Sequence, residues 1–145
     1  MEIIVGTNNQ GKLKEMQSGL KDPAIQLVSY RKYTTSQEQP AETGTTYAEN
    51  AYLKARFFQQ LIGRPVLGDD GGLTLTAFPV LLGIHTSRFF HSANPEEQNR
   101  ELLHLFEGRQ STRELTLSAT LVYVLDDDKL LQTEATLTGE LVEPH

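Results

Sequence analysis

Cysteine is missing from this 145-residue chain. Its absence excludes a disulfide framework, a thiolate metal site and a cysteine nucleophile. Long apolar runs are missing too: no stretch nears the roughly 18 residues that read as a membrane span. The N-terminus enters a strand-like Glu2-Ile3-Ile4-Val5 at once, without the basic region and apolar core of a signal peptide. The expectation is a cytoplasmic protein with no membrane partner. Positive charge is in short supply, with 13 Lys and Arg against 19 Asp and Glu and a net charge of −6. Broad nucleic-acid binding needs a basic face that displaces counterions, so nucleic acid is not the expected partner. A small polyanion remains compatible, because a few local lysines and a metal ion can hold one against an acidic background.

What is present suits one α/β domain over residues 1–145. Hydrophobic residues make up 38% of the chain, enough for a core without disulfide or metal staples. Residues 2–5 predict a buried strand, 6–11 a polar loop, and 12–20 a helix with Leu13, Met16 and Leu20 on one face. A second strand is expected over 25–30 and a polar loop over 31–43. A long helix should run from Thr46 to Ile62, where Gly63-Arg64-Pro65 breaks it, and Val66-Leu67 starts a short strand. Asp69-Asp70-Gly71-Gly72 predicts a tight turn before the alternating Leu73-Thr74-Leu75-Thr76. Pro95-Glu96-Glu97 opens a third helix ending near Phe106, with Gly108 placed to cap it. Glu114 to Leu125 and Lys129 to Thr138 alternate with period two around Asp126-Asp127-Asp128, as in a hairpin. Strands mixed with helices imply a mixed sheet flanked by helices.

Three segments carry chemistry. Gly6-Thr7-Asn8-Asn9-Gln10-Gly11-Lys12 joins a strand to a helix, and its loop and first-turn amides form a phosphate cradle. Lys12 in the first turn opposes the helix dipole, a cost that an anionic ligand removes. The spacing matches the start of a P-loop, but Leu13 stands where magnesium needs Ser or Thr, which excludes a Walker-type NTPase. A plain strand-to-helix connection with a solvated lysine explains the same residues. In the second segment, Asn50 and Lys54 are four apart on one helix face and can meet a ligand together. A surface lysine is the plainer reading, and Glu49 reads as the partner of Thr46 in a capping box. In the third, Asp69 and Asp70 can ligate a hard cation and take a proton from water, while Asp-Gly is equally a turn signal.

Taken in order, Thr7 to Lys12, Glu42-Thr43-Gly44-Thr45-Thr46-Tyr47-Ala48-Glu49-Asn50-Ala51 with Lys54-Ala55, Asp69-Asp70-Gly71-Gly72-Leu73, and Gly83 with Ser87-Arg88 resemble the inosine triphosphate pyrophosphatase family. The resemblance implies that family's α/β fold and hydrolysis of noncanonical purine triphosphates (ITP, dITP, XTP) to monophosphate and pyrophosphate. A non-catalytic nucleotide-binding protein and a pyrophosphatase for modified pyrimidines are the rival readings. By the same resemblance, Thr7, Asn8, Asn9, Gln10, Gly11, Lys12, Asn50, Lys54 and Gly71 bind substrate. Asp70 is the proton acceptor. Asp70, Glu42 and Asp69 are the metal ligands for magnesium, with manganese as its substitute, and the chain pairs as a homodimer. Gly71 stands where the family has serine, and Ala41 precedes Glu42 where it often has a second acid. The family's aromatic-Gly-Tyr-Asp turn, further lysine and Ser-His-Arg segment do not follow within the 145 residues, so the domain is expected to be C-terminally short relative to the family.

The histidines suggest little chemistry. His85 and His91 have a poor metal spacing, and His104 among Leu102, Leu103, Leu105 and Phe106 is expected to be partly buried. The three aspartates at 126–128 read as a solvated turn.

Overall fold

The computed structural model describes residues 1–77, 94–108 and 112–140. Five strands form one sheet in the order β2-β1-β3-β4-β5. They are β1 (Glu2–Val5), β2 (Gln26–Ser29), β3 (Val66–Leu75), β4 (Glu114–Asp126) and β5 (Lys129–Glu140). The helices are α1 (Gln10–Gly19), α2 (Tyr47–Ile62) and α3 (Pro95–His104), with a 3-10 turn at Tyr30–Lys32. β1 lies parallel to both β2 and β3, with Ile3 opposite Leu27 and Val5 opposite Leu67. Parallel neighbours need a crossover, which α1 supplies between β1 and β2. β4 and β5 are joined by two residues, which allows only an antiparallel hairpin. The mixed α/β sheet is therefore as the sequence predicts.

Local signals set most helix ends. Thr46 caps α2 by accepting from the Glu49 amide at 3.1 Å, and Gly63 closes it in the left-handed region at φ 78°. Asn94 caps α3 through the Glu96 amide at 2.8 Å. α1 starts two residues earlier than predicted, because Asn9 takes the cap position and draws Gln10 and Gly11 into the first turn.

The expected tight turn at 69–72 is not there: β3 runs unbroken through it from Val66 to Leu75. Its glycines serve close approach rather than chain reversal. A Cβ on Gly71 would lie 2.2 Å from the Ser118 carbonyl oxygen, and one on Gly68 would lie 2.3 Å from that of Ala51. Asp-Gly-Gly is the same local signal in both cases, and only the neighbouring backbone distinguishes them. His104 is a second correction. Its side chain is exposed and pairs with Glu107 at 3.1 Å, because the apolar face of α3 is carried by Leu102 with Phe106 beyond it.

The chain divides into two compact units, one of residues 1–70 with 120–134, the other of residues 71–119 with 135–145. In the first, Ile4, Tyr30, Phe58 and Val66 form one buried cluster, and Val5, Leu13 and Leu27 another. A third brings Ala51 and Ala55 of α2 against Val122 and Val124. In the second, the buried cluster is Leu73, Leu75, Leu102 and Phe106. His85, His91, Gly83, Ser87 and Arg88 lie outside the described residues.

Candidate active site

Every candidate residue except Gly71 belongs to the first unit. The loop after β1 is fixed at its base, where the Gly6 amide donates to the Leu67 carbonyl at 2.8 Å. Thr7 is buried and its hydroxyl accepts from the Asn9 amide at 3.1 Å. The Asn9 side chain accepts from the Lys12 amide at 3.0 Å, which fixes the first turn of α1. Helix first-turn amides have no intrahelical acceptor, so Gln10 and Gly11 stand where such donors face an anion.

Lys12 does not hang in solvent. Its Nζ donates to Asp69 Oδ2 at 2.6 Å, across 57 residues of sequence. Lys54 comes to the same acid from α2: its Nζ donates to the Asp69 carbonyl at 2.9 Å and lies 4.0 Å from Oδ1. It also lies 3.5 Å from Glu42 Oε1, so one ammonium spans two carboxylates. Asp69 is buried, with its side chain 8% exposed, a burial that these two cations compensate. The surface-lysine reading of Lys54 fails here, since its side chain is only 16% exposed.

Asn50 is buried and turned inward, its Oδ1 accepting from the Gly44 amide at 2.8 Å. Glu49 completes a variant capping box: its carboxylate accepts from the Thr45 amide at 2.6 Å, one residue further back than the usual partner. That backbone hydrogen bond, with the Thr45 hydroxyl, holds the Glu49 carboxyl below its ordinary range. Asp70 is half-buried. Strand alternation aims it at the face opposite Asp69, the same face as Gly68. Gly71 belongs to the second unit and is defined by its approach to Ser118.

A hard cation takes carboxylate oxygens, and Asp69 Oδ1 is a buried acceptor with no hydrogen bond, the kind of atom a cation completes. The described residues as they stand gather no group of three acidic or histidine side chains, and Lys54 occupies the position between Glu42 and Asp69.

Three residues absent from the sequence reading meet the loop. Asn8 Oδ1 accepts from the buried Tyr30 hydroxyl and from the Arg31 guanidinium, the latter at 2.9 Å. Asn8 Nδ2 donates to Gln39 Oε1 at 2.5 Å, and Gln39 Nε2 donates to the Tyr30 hydroxyl at 3.2 Å. These residues lie 22 to 31 positions from Asn8. No local pattern announces them.

The structure is a mixed α/β sheet with a capped strand–loop–helix corner, and two lysines meet one buried acid beside it. Comparison with known proteins then specifies the family. The Ham1 family model matches residues 3–145, and this chain belongs to that family. It is 32% identical over 142 residues to a dITP/XTP pyrophosphatase of Deinococcus deserti, covering 98% of this chain and 66% of that one. It is 33% identical over 141 residues to the dITP/XTP pyrophosphatase of Deinococcus radiodurans, covering 97% and 68%. The chain thus spans about two thirds of the length of these curated relatives. Among solved structures, a HAM1 protein from Coxiella burnetii superposes with a TM-score of 0.79 at 30% identity, covering 97% of this chain and 72% of that one. No helix among the described residues is long and apolar enough to cross a membrane.

Proposed function

We propose that this chain hydrolyses noncanonical purine nucleoside triphosphates such as ITP, dITP and XTP to the monophosphate and pyrophosphate. The convergence of Lys12 and Lys54 on the buried Asp69, beside the loop Thr7 to Lys12, carries the reading. Two cations held that close to a strand–loop–helix corner suit a polyphosphate, and the relatives, dITP/XTP pyrophosphatases, supply the substrate class. Loop amides of Gln10 and Gly11, with Thr7, Asn8 and Asn9 shaping the loop, receive the phosphate oxygens. Lys12 and Lys54 offset their charge, and Asn50 holds the Gly44 amide that shapes the chain after Glu42.

Asp70 accepts a proton from the attacking water. The water oxygen bonds to the α-phosphorus, the bridging bond to the β-phosphate breaks, and pyrophosphate leaves with the electron pair. Of the three expected ligands, Glu42 and Asp69, which both meet Lys54, would hold the magnesium ion, while Asp70 on the other strand face serves as the base. When bound, that ion supplies charge compensation and a more acidic water. Gly71 follows the base and gives the strand close passage there. The acting form is a homodimer in the cytoplasm, which light scattering of the purified chain and fractionation of cells would check.

The deciding experiment is pyrophosphate release from ITP, dITP, XTP and GTP with magnesium, for the native chain and Asp70→Asn. Release from the first three that disappears in the variant is the expected result. No release from any of the four, across metals and protein concentrations, overturns the catalytic reading.

A further inference from the structure

We propose that Arg31 is a further phosphate-binding residue, which grips the distal phosphates of the triphosphate at the outer rim of the loop. This rests on the polyphosphate reading above and adds to it a cation that the loop motif does not contain. Arg31 sits in the 3-10 turn after β2, exposed to solvent, with its guanidinium 5.2 Å from the centre of the Tyr30 ring. Tyr30 is fully buried and stacks on Phe58 at 4.1 Å, so the platform beneath Arg31 is rigid. One guanidinium nitrogen donates to Asn8 Oδ1 at 2.9 Å, which fixes the group against the middle of the loop.

Charge argues for a ligand there. Lys12 already faces Asp69, and Lys54 already faces Asp69 and Glu42. Arg31 instead rests on a neutral amide oxygen, and no carboxylate of the described residues pairs with it. A guanidinium has five N–H donors in a planar fork that matches a phosphate edge, so most of its donors remain to be used. The Asn8 amide is oriented in the same way. Two donors at Oδ1 and an acceptor at Nδ2 determine which end is which, and the second Nδ2 hydrogen is available beside Arg31. Together they form a two-residue edge on the loop, fixed before any ligand arrives.

The test is calorimetric binding of inorganic pyrophosphate and tripolyphosphate, with magnesium, to the native chain, Arg31→Gln and Arg31→Lys. Inosine monophosphate is the control ligand, since it lacks the distal phosphates. Arg31→Gln keeps a donor for Asn8 but removes the charge and the fork. It is expected to weaken pyrophosphate and tripolyphosphate binding by about tenfold, the scale of one charge-assisted hydrogen bond, with monophosphate unchanged. Arg31→Lys keeps the charge, and its loss should fall in between. The salt dependence of tripolyphosphate binding should become shallower in Arg31→Gln only. If Arg31→Gln binds pyrophosphate like the native chain, Arg31 merely positions Asn8 and the proposal is overturned, whatever the catalytic result. Arg31-dependent anion binding without pyrophosphate release would keep the proposal while the hydrolytic reading falls. A native chain that binds neither anion overturns both.

Discussion

Two carboxylates in the first unit each meet a lysine, and they differ in everything that burial controls. Asp69 is 8% exposed and held by Lys12 from α1 and Lys54 from α2. Glu2 is 32% exposed, and its carboxylate meets Lys32 and the Tyr33 hydroxyl at the surface, with Arg64 over the Tyr33 ring at 4.8 Å. Water screens the Glu2 group, so its attraction is weak and salt-sensitive. Around Asp69 the dielectric is lower, so each charge there depends on its partner. The contrast teaches that burial makes each charge depend on its partner, whereas an exposed pair ties neighbouring elements together only lightly.

The largest expected effect separates chemistry from charge pairing at the buried pair's own neighbour. Asp70→Asn should lower pyrophosphate release by at least about 100-fold, the ordinary share of a general base, with the folding midpoint nearly unchanged. Next, Asp69→Ala leaves two lysines facing each other without their acid. A loss of about 2–3 kcal/mol in urea unfolding is expected, discounted because Lys12 is partly exposed. Lys54→Met removes a single partner, and the Lys12 contact survives. It should cost about 1–2 kcal/mol in the same titration, the scale of one hydrogen bond to a charged group.

The smallest effect belongs to Glu2→Gln, which should not shift the thermal midpoint outside repeat scatter in 1 M salt. Its signature is a pH window. The hydrogen bond from Lys32, then that from Tyr33, holds the Glu2 carboxyl below its ordinary 4.5. Its contribution is therefore complete above that value and fades as pH falls through the lowered one. Lys32 and Tyr33 are both pushed up by their hydrogen bonds to Glu2, from ordinary values of 10.5 and 10.0. Their contribution is complete below those values and fades as pH rises through the raised ones. The native chain and Glu2→Gln should differ at low salt only between these limits. A constant difference across the whole range would break the comparison.

Sequence reading went furthest where the deciding partner is local. Thr46 and Glu49 are three apart and announce a cap; Gly63 supplies the left-handed residue that ends α2. The cap of α1 is Asn9, a favoured cap residue whose side chain accepts from the Lys12 backbone amide, with no Glu or Gln three residues on to announce it. The Asp69 to Gly72 segment is ambiguous in sequence because a turn and a close strand passage both favour glycine. His104 is exposed despite its leucine neighbours because adjacent residues in a helix do not all share one face.

The sequence by itself determined the α/β order of elements, the strand–loop–helix corner and the family, since these depend on periodicity, caps and motif order along one chain. Only the tertiary structure decided that Lys12 and Lys54 meet on Asp69, and that Tyr30, Arg31 and Gln39 hold Asn8. The physical reason is distance along the chain. Charge pairing and amide orientation depend on which groups share one low-dielectric space, and that is settled only when β1, β3, α1 and α2 pack.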